Sequence, residues 1–236
     1  MWPTDAASLR AVQRDLGAAE PDPWIPASGG MRVAGCWACF PKDTSGRGDR
    51  GDPAWVAATV VPTHGSTNAA GGDLDAGADD EVVLTGRAGA AYAPGLLALR
   101  LGPLLEQVVR ELPVRPDVLL VDATGRDHPR RCGLAVQLGA ELGLPTVGVT
   151  HRPLLAEGEW PEDRRGAASP VRIGAEPVGH WLRTRTGTRP LVVHPGWRVG
   201  FGEAVQVVLA TTGRRRTPEP LRRARHLARL ARDGAP

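Results

Sequence analysis

The chain has 236 residues, of which 42% are hydrophobic, so it is long enough to bury a sizeable core. Glycine and proline number 30 and 22, a share below that of disordered chains, and the net charge is only +3. No apolar run approaches the ~20 residues that span a bilayer, and the first residues lack the pattern of a secretory signal. These features predict a cytoplasmic protein without a membrane partner.

The first half of the chain shows one helical and three strand-like patterns. Apolar spacing and β-branched runs predict a helix at 8–18 and strands at 31–40, 54–61 and 82–84. Two polar loops, 41–53 and 63–81, separate the strands. The acidic residues of the second loop (Asp73, Asp75, Asp79, Asp80 and Glu81) resemble a calcium-binding loop only loosely, because the spacing of an EF-hand is absent.

The second half alternates between strands and helices. Helices are predicted at 96–112, 132–142 and 201–211, and strands at 118–121, 146–150 and 190–193. Segment 178–183 fits either a helix or a strand, and 156–169 is predicted to be a loop. Strands followed by alternating strands and helices indicate an α/β fold with a mixed sheet and helices packed on it. The absence of repeats favours a single domain over 1–236.

The last 26 residues are strongly basic. Residues 211–236 contain eight arginines against Glu219 and Asp233. Such a segment suggests a nucleic-acid partner. The alternative is an amphipathic helix with a solvated basic face, whose inward side chains would be Leu221, Ala224, Leu227, Ala228 and Ala231.

The three cysteines are Cys36, Cys39 and Cys132. An odd number without a signal peptide argues against a disulfide framework. Cys36 and Cys39 form a C-x-x-C pair, but they lie in a predicted strand, which points residues three apart to opposite faces. No second pair exists to complete a zinc site. The pair is therefore interpreted as small buried residues.

Five segments occur in an order that resembles a known family: AYAPGLLALR (91–100), VLLVDATGRDHPRRCGLAVQLG (118–139), LPTVGVT (144–150), RGAASP (165–170) and PLVVHPGWRVG (190–200). Together they resemble endonuclease V, a nuclease that acts beside deoxyinosine in DNA and, in some members, inosine in RNA. The likeness extends from about residue 7 to 230. It implies an RNase H-like fold, a monomer, a DNA or RNA partner and Mg²⁺-dependent cleavage.

The resemblance also implies a set of nucleic-acid contacts. Tyr92, Ala93 and Pro94 would form a wedge that enters the duplex, and a wedge makes physical sense because extracting a base leaves a gap in the stack. The segment 125–133 would help form the pocket for the flipped base. The predicted nucleic-acid-binding residues are Tyr92, Pro94, Gly95, Gly125, His128, Arg130, Arg131 and Gly133. In the alternative interpretation, Tyr92 and the arginines simply face solvent.

Most catalytic positions of the family carry other side chains here. The family holds Mg²⁺ with converging carboxylates, and only Asp122 remains as a candidate catalytic and metal-binding residue. The other positions that the resemblance identifies are occupied by Trp37, Leu101, Thr124, His151, Trp197 and Gly202. The sequence therefore predicts a catalytically degenerate member that still binds nucleic acid.

Two further interpretations remain open from the sequence. Asp122 could recruit Glu203, Asp127 or Glu106 and form an active, remodelled Mg²⁺ site that cleaves near deaminated adenine. Alternatively, the fold could serve as a protein–protein interaction module, with Trp160 or Trp181 as the exposed anchor.

Overall fold

The computed structural model describes residues 1–43, 46–64 and 80–235. Its helices are α1 (Ala6–Ala18), α2 (Leu97–Arg110), α3 (Leu134–Leu142), α4 (Phe201–Ala210) and α5 (Glu219–Asp233). Its strands are β1 (Gly30–Cys39), β2 (Pro53–His64), β3 (Glu81–Arg87), β4 (Val118–Val121), β5 (Thr146–Thr150), β6 (Ala168–Ile173), β7 (Glu176–Leu182) and β8 (Leu191–Pro195). Asp73, Asp75 and Asp79 of the calcium-like loop lie outside the described residues.

The strands form one eight-stranded sheet in the order β3-β2-β1-β4-β5-β8-β7-β6. The central strands β1, β4 and β5 run parallel, and the outer pairs are antiparallel. All four residues of β4 are buried, as expected for a central strand covered on both faces. The predicted α/β fold, a mixed sheet flanked by helices, is confirmed.

At one edge of the sheet, the structure resolves one ambiguous prediction and adds one strand that was not predicted. The ambiguous segment 178–183 lies largely in β7, and β6 begins inside the predicted loop 156–169. Only Val171 of β6 is fully buried, so this edge strand carries little of the apolar alternation that identifies a strand in a sequence. None of the helices in the described residues is long and apolar enough to cross a membrane.

The helices form a layer on each face of the sheet. Helices α1, α2 and α3 pack on one face, and α4 and α5 cover the other. The first turn of α5 approaches β1 so closely that a Cβ at Gly35 would overlap the backbone of Pro220. The inward side chains Leu221, Ala224 and Ala228 are buried as predicted.

The thiols of β1 are divided between the two faces. Cys36 belongs to the core on the α2 and α3 side, whereas Cys39 donates to the carbonyl oxygen of Ala228 in α5, 3.3 Å away. Burial raises the pKa of Cys36 to about 12, with a smaller contribution from the charge of Asp122. All three cysteines are free and buried, which agrees with their interpretation as small core residues.

Candidate functional site

The parallel strands β1, β4 and β5 end at a common edge, here called the carboxyl edge. Cys36 of β1 pairs with Val121 of β4, so the next residues, Trp37 and Asp122, are neighbours on the face that α5 covers. Leu101 of α2 joins them in lining a cavity of about 60 Å³. The fold thus brings together three positions that the resemblance assigns to the metal set.

Asp122 lies in an environment that disfavours its charge. Burial raises the pKa of this carboxyl group to about 6, and the positive charge of Arg225 only partly opposes that effect. Apart from Asp122, the cavity is lined by apolar side chains and the thiol of Cys36, among the described residues. The carboxylate is therefore held in an environment that favours its neutral form more than water does.

Arg225 of α5 is the residue at this edge that the sequence interpretation missed. Its guanidinium carbon lies 5.1 Å from the centroid of the Trp37 ring. Its Nε and the Nε1 of Trp37 are buried without a hydrogen-bond partner in the described part of the chain. Local sequence patterns do not identify it, because Arg225 is one of several similar arginines in a basic helix and only the packing of α5 places it at this edge.

His151 follows β5 at the same edge. Burial lowers its pKa, and the charges of Arg216 and Arg225 lower it further. The neutral imidazole therefore stands in a positive environment. The resemblance places the lysine of the family at this position, so one basic residue has been exchanged for a group that is neutral at pH 7.

The carboxyl edge does not fit Mg²⁺. The ion demands near-octahedral oxygen coordination, usually from one or two carboxylates together with substrate phosphates and several waters. Within residues 1–43, 46–64 and 80–235, no group of three histidine, cysteine, aspartate or glutamate side chains converges as a metal site. Trp37 and Leu101 instead supply apolar bulk, and Arg225 supplies a competing cation.

Two of the proposed substitute carboxylates are committed elsewhere. Asp127 is fully buried and accepts hydrogen bonds from the backbone N–H groups of residues 154–156 at 2.6–3.0 Å. Glu106 accepts from the Trp2 indole and from Arg110, at 2.5 and 2.7 Å. Neither joins Asp122, so the remodelled sites that rely on them are not formed.

Trp197, Gly202 and Glu203 lie near the opposite ends of the parallel strands. The backbone N–H of Trp197 donates to the hydroxyl of Thr146, the first residue of β5, at 2.8 Å. Gly202 and Glu203 follow in the first turn of α4. Since Asp122 follows the last residue of the parallel strand β4, the structure does not bring these three residues to it. Their expected place in the metal set is corrected.

The glycines of the predicted base pocket close a turn. The backbone N–H of Gly133 donates to the carbonyl oxygen of Gly125 at 2.8 Å, and both residues are buried. A Cβ at Gly125 would overlap the Pro195 carbonyl oxygen, and one at Gly133 would overlap that of Thr124. These positions require glycine because the loop crosses the sheet closely, whether or not a base binds nearby.

The predicted wedge is exposed and held at both ends. Tyr92 is 43% exposed, and its N–H donates to the Arg47 carbonyl oxygen at 2.9 Å. Upstream, the buried guanidinium of Arg100 donates to the Ala90 carbonyl oxygen at 2.7 Å. Downstream, Gly95 adopts a φ of +72°, a conformation that glycine allows at little cost.

The carbonyl oxygen of Gly95 is the point where the H-P-R-R motif meets the wedge. It accepts from the His128 Nε2 at 3.1 Å, the Arg130 Nη2 at 2.8 Å and the Gln13 Nε2 at 3.2 Å. Burial lowers the pKa of His128 to about 4, which matches a neutral ring that donates from Nε2. His128 and Arg130 therefore position the wedge, a role that the sequence interpretation did not assign to them.

Arg131 and the tryptophans also depart from their expected roles. The Arg131 guanidinium pairs with Glu176 at 2.6 Å and so is not a free phosphate ligand. Trp181 is only 8% exposed and donates to the Gly158 carbonyl oxygen, which excludes it as an exposed anchor. Trp160 is 54% exposed and packs edge-on against Trp181 at 6.2 Å.

Comparison with known proteins gives a consistent result. The family model for endonuclease V matches residues 74–226. The endonuclease V of Streptomyces coelicolor is 39% identical, over 99% of this chain and 94% of the relative. The crystal structure of endonuclease V from Streptomyces avermitilis has a TM-score of 0.81 at 36% identity, over 98% of this chain and 94% of that one.

A more distant structure shares the fold. Endonuclease V from Ciona intestinalis, in complex with a 24mer DNA that contains an inosine followed by a ribo-adenosine, has a TM-score of 0.75 at 20% identity, over 95% of this chain and 96% of that one. At that identity the likeness concerns the fold alone. The extent and identity of the Streptomyces matches, together with the family model, show that this chain belongs to the endonuclease V family.

Proposed function

We propose that the protein binds inosine-containing DNA or RNA. We further propose that it does not cleave this nucleic acid efficiently with a metal ion. The observation that carries this proposal is the contrast at the site. An exposed, braced wedge at Tyr92 stands beside an edge where Trp37, Leu101 and Arg225 surround a single carboxylate, Asp122. The wedge supports base extraction, whereas the edge offers no set of oxygen ligands for Mg²⁺.

Binding is expected to combine a sequence-independent and a base-dependent part. The basic surface of α5 would attract the phosphate backbone with a Kd on the order of 10⁻⁴ to 10⁻⁶ M at physiological salt. The wedge adds preference for a base that leaves the stack easily, such as inosine in a weakened pair. The family to which the chain belongs consists of relatives named as endonucleases, which supports a nucleic-acid partner here.

The second candidate is an active endonuclease with a remodelled metal site. Relatives across most of this chain are named endonucleases, and Asp122 is retained at the end of β4. Such an enzyme would have to recruit further oxygen ligands from the substrate phosphate and water, since Asp127, Glu106 and Glu203 are placed elsewhere. The geometry therefore favours binding without efficient cleavage.

The test combines cleavage and binding on the same substrates. Purified protein in excess is incubated with 5′-labelled duplexes and RNAs, with and without inosine, in Mg²⁺ or Mn²⁺. Asp122→Ala runs in parallel to reveal contaminating nuclease. We expect no nicking that depends on Asp122, together with salt-dependent binding that is tighter for inosine.

Two outcomes would contradict the proposal in different ways. Nicking near inosine that disappears in Asp122→Ala would establish the active enzyme. Failure of both inosine-containing and plain substrates to bind at low salt would remove nucleic acid as the partner.

A further inference from the structure

We propose that Arg225 binds a backbone phosphate of the nucleic acid at the carboxyl edge, in the place where the family resemblance puts a metal ion. This inference rests on the proposed function and deepens it, because it names the group that replaces the cation. It predicts that binding of DNA or RNA requires no divalent metal.

The packing of α5 fixes the position of Arg225. The close approach of Pro220 to Gly35 seats the start of the helix on β1. About one and a half turns later, Arg225 lies over the ring of Trp37 at 5.1 Å. A guanidinium on an aromatic face keeps its N–H groups directed around the ring edge, where they can meet a ligand.

The polar atoms at this edge are incompletely satisfied. The Nε atoms of Arg225 and Arg216 and the Nε1 of Trp37 are buried without hydrogen-bond partners among the residues that the structure describes. Arg216 also donates from Nη2 to the Pro190 carbonyl oxygen at 2.9 Å, which holds it in place. Buried donors without acceptors are costly, so an anionic acceptor would stabilise this arrangement.

The charges at this edge favour an anion over a cation. Both Arg216 and Arg225 act on His151, which places two positive charges near the end of β5. Asp122 is the negative group whose charge interacts with that of Arg225. A phosphate has the oxygen geometry that arginine binds through two parallel N–H groups.

A substitution of Asp122 distinguishes a metal site from an arginine–phosphate site, because the two predict different changes in nucleic-acid affinity. If a metal bound here, Asp122→Asn would remove its anchor and weaken metal-dependent binding. If Arg225 holds the phosphate, Asp122 only repels the ligand, so Asp122→Asn leaves the affinity unchanged or increases it. The two substitutions therefore have different expected effects: Arg225→Ala lowers the affinity, whereas Asp122→Asn does not lower it.

The experiment measures binding of a fluorescent inosine-containing duplex by anisotropy at several salt concentrations, in EDTA and in Mg²⁺. The wild-type protein is expected to bind at least as tightly in EDTA as in Mg²⁺, because each phosphate contact acts through arginine and Mg²⁺ only competes for the phosphates. Arg225→Ala is expected to lower the affinity about tenfold and to reduce the slope of log K against log salt by about 1. Arg225→Lys should recover only part of the loss, because lysine cannot form the paired contact.

Arg115→Ala is the matched control. It removes the same charge from an exposed residue that precedes β4, at the other end of the strand from Asp122. Its affinity for the duplex should stay within about twofold of wild type at about 0.15 M salt, where a charge more than about 8 Å from the ligand is largely screened. Thermal unfolding of every variant confirms that a weaker binder is still folded.

The outcomes separate this inference from the proposed function. If the wild type binds but Arg225→Ala binds equally well, or if EDTA abolishes binding, or if Asp122→Asn weakens it, the phosphate site at Arg225 is wrong and nucleic-acid binding stands. If the wild type binds neither substrate at low salt, the proposed function fails, and this inference fails with it.

Discussion

The wedge and the carboxyl edge are both parts of the site that the family resemblance predicts, yet they are built in opposite ways. At the wedge, polar groups converge on the Gly95 carbonyl oxygen, which receives hydrogen bonds from His128, Arg130 and Gln13. At the edge, donors of Trp37 and Arg225 lack partners among the described residues. The first region is complete without a ligand, whereas the second is not.

The polar groups of the two regions therefore serve different purposes. The wedge segment keeps its shape through internal contacts, so its exposed tip at Tyr92 is preorganised for insertion into a stack. The carboxyl edge keeps one carboxylate in an apolar cavity and holds cations nearby, which suits a ligand that brings its own negative charge. Substitutions and pH changes in either region test this difference between the wedge and the carboxyl edge.

The largest effect is expected from rebuilding the carboxylate set. Trp37→Asp combined with Leu101→Glu would place two acids beside Asp122, where the cavity now has apolar walls. With Mg²⁺ or Mn²⁺ we expect nicking near inosine to rise at least about 100-fold above the wild-type background, about 2.7 kcal/mol of transition-state stabilisation. Labelled-strand cleavage measures it, and adding Asp122→Ala must remove the gain.

If the double variant folds but shows no nicking, restoring the two carboxylates is not sufficient for cleavage. In that case Arg225→Ala is added to remove the competing cation. If this variant also shows no nicking, the scaffold lacks further groups that metal-dependent cleavage requires.

The second effect concerns the stability of the wedge support in acid. Burial lowers the pKa of His128 to about 4, so between pH 6.5 and 4 the unfolded chain binds a proton that the folded chain does not. Stability from this group is therefore present above pH 6.5 and is lost as the pH falls. Between pH 7.5 and 5 the loss is about 2 kcal/mol.

Urea unfolding at pH 7.5 and pH 5 measures this change. His194 is fully buried and its pKa is also lowered to about 4, so it adds a similar loss. His128→Gln keeps a donor for Gly95 but removes the titration, and its free energy of unfolding should depend less on pH than that of the wild type. An equal pH dependence in both proteins would contradict the neutral ring of His128.

The third effect isolates the tip of the wedge. Tyr92→Ala should lower the preference for inosine over plain duplex about tenfold, because base–aromatic stacking contributes about 1–3 kcal/mol. The free energy of unfolding should hardly change, since the side chain is 43% exposed. Competition binding with matched duplexes measures the preference. Tyr92→Phe is the control and should retain most of it.

The smallest effect is expected at the surface pair of Arg131 and Glu176. Glu176 is 55% exposed in this pair, and exposed ion pairs contribute about 0–1 kcal/mol. Glu176→Gln should therefore change stability by less than about 1 kcal/mol, as measured by urea unfolding. It frees Arg131, so nucleic-acid affinity should rise slightly. A fall in affinity would show that the pair itself shapes the binding surface.

Local sequence patterns were sufficient to predict the fold class, most of the helices and strands, and the family. Apolar runs such as β4 and the inward residues of α5 carry that information locally, through period and burial. The sequence also predicted that Trp37, Leu101 and Asp122 belong to one site. The edge strand β6 was not predicted, because its exposed side chains show only a weak alternation of apolar and polar residues.

Which charged residues share a site depends instead on how the strands and helices pack together. Asp127, Glu203 and Arg225 look equally available in the sequence. In the structure, Asp127 accepts backbone hydrogen bonds and Glu203 lies at the start of α4, so neither is placed beside Asp122. The packing of α5 instead places Arg225 over Trp37. Likewise, His128 and Arg130 turned out to brace Gly95. Contacts between residues far apart in the chain depend on strand order and helix packing, which local patterns do not encode.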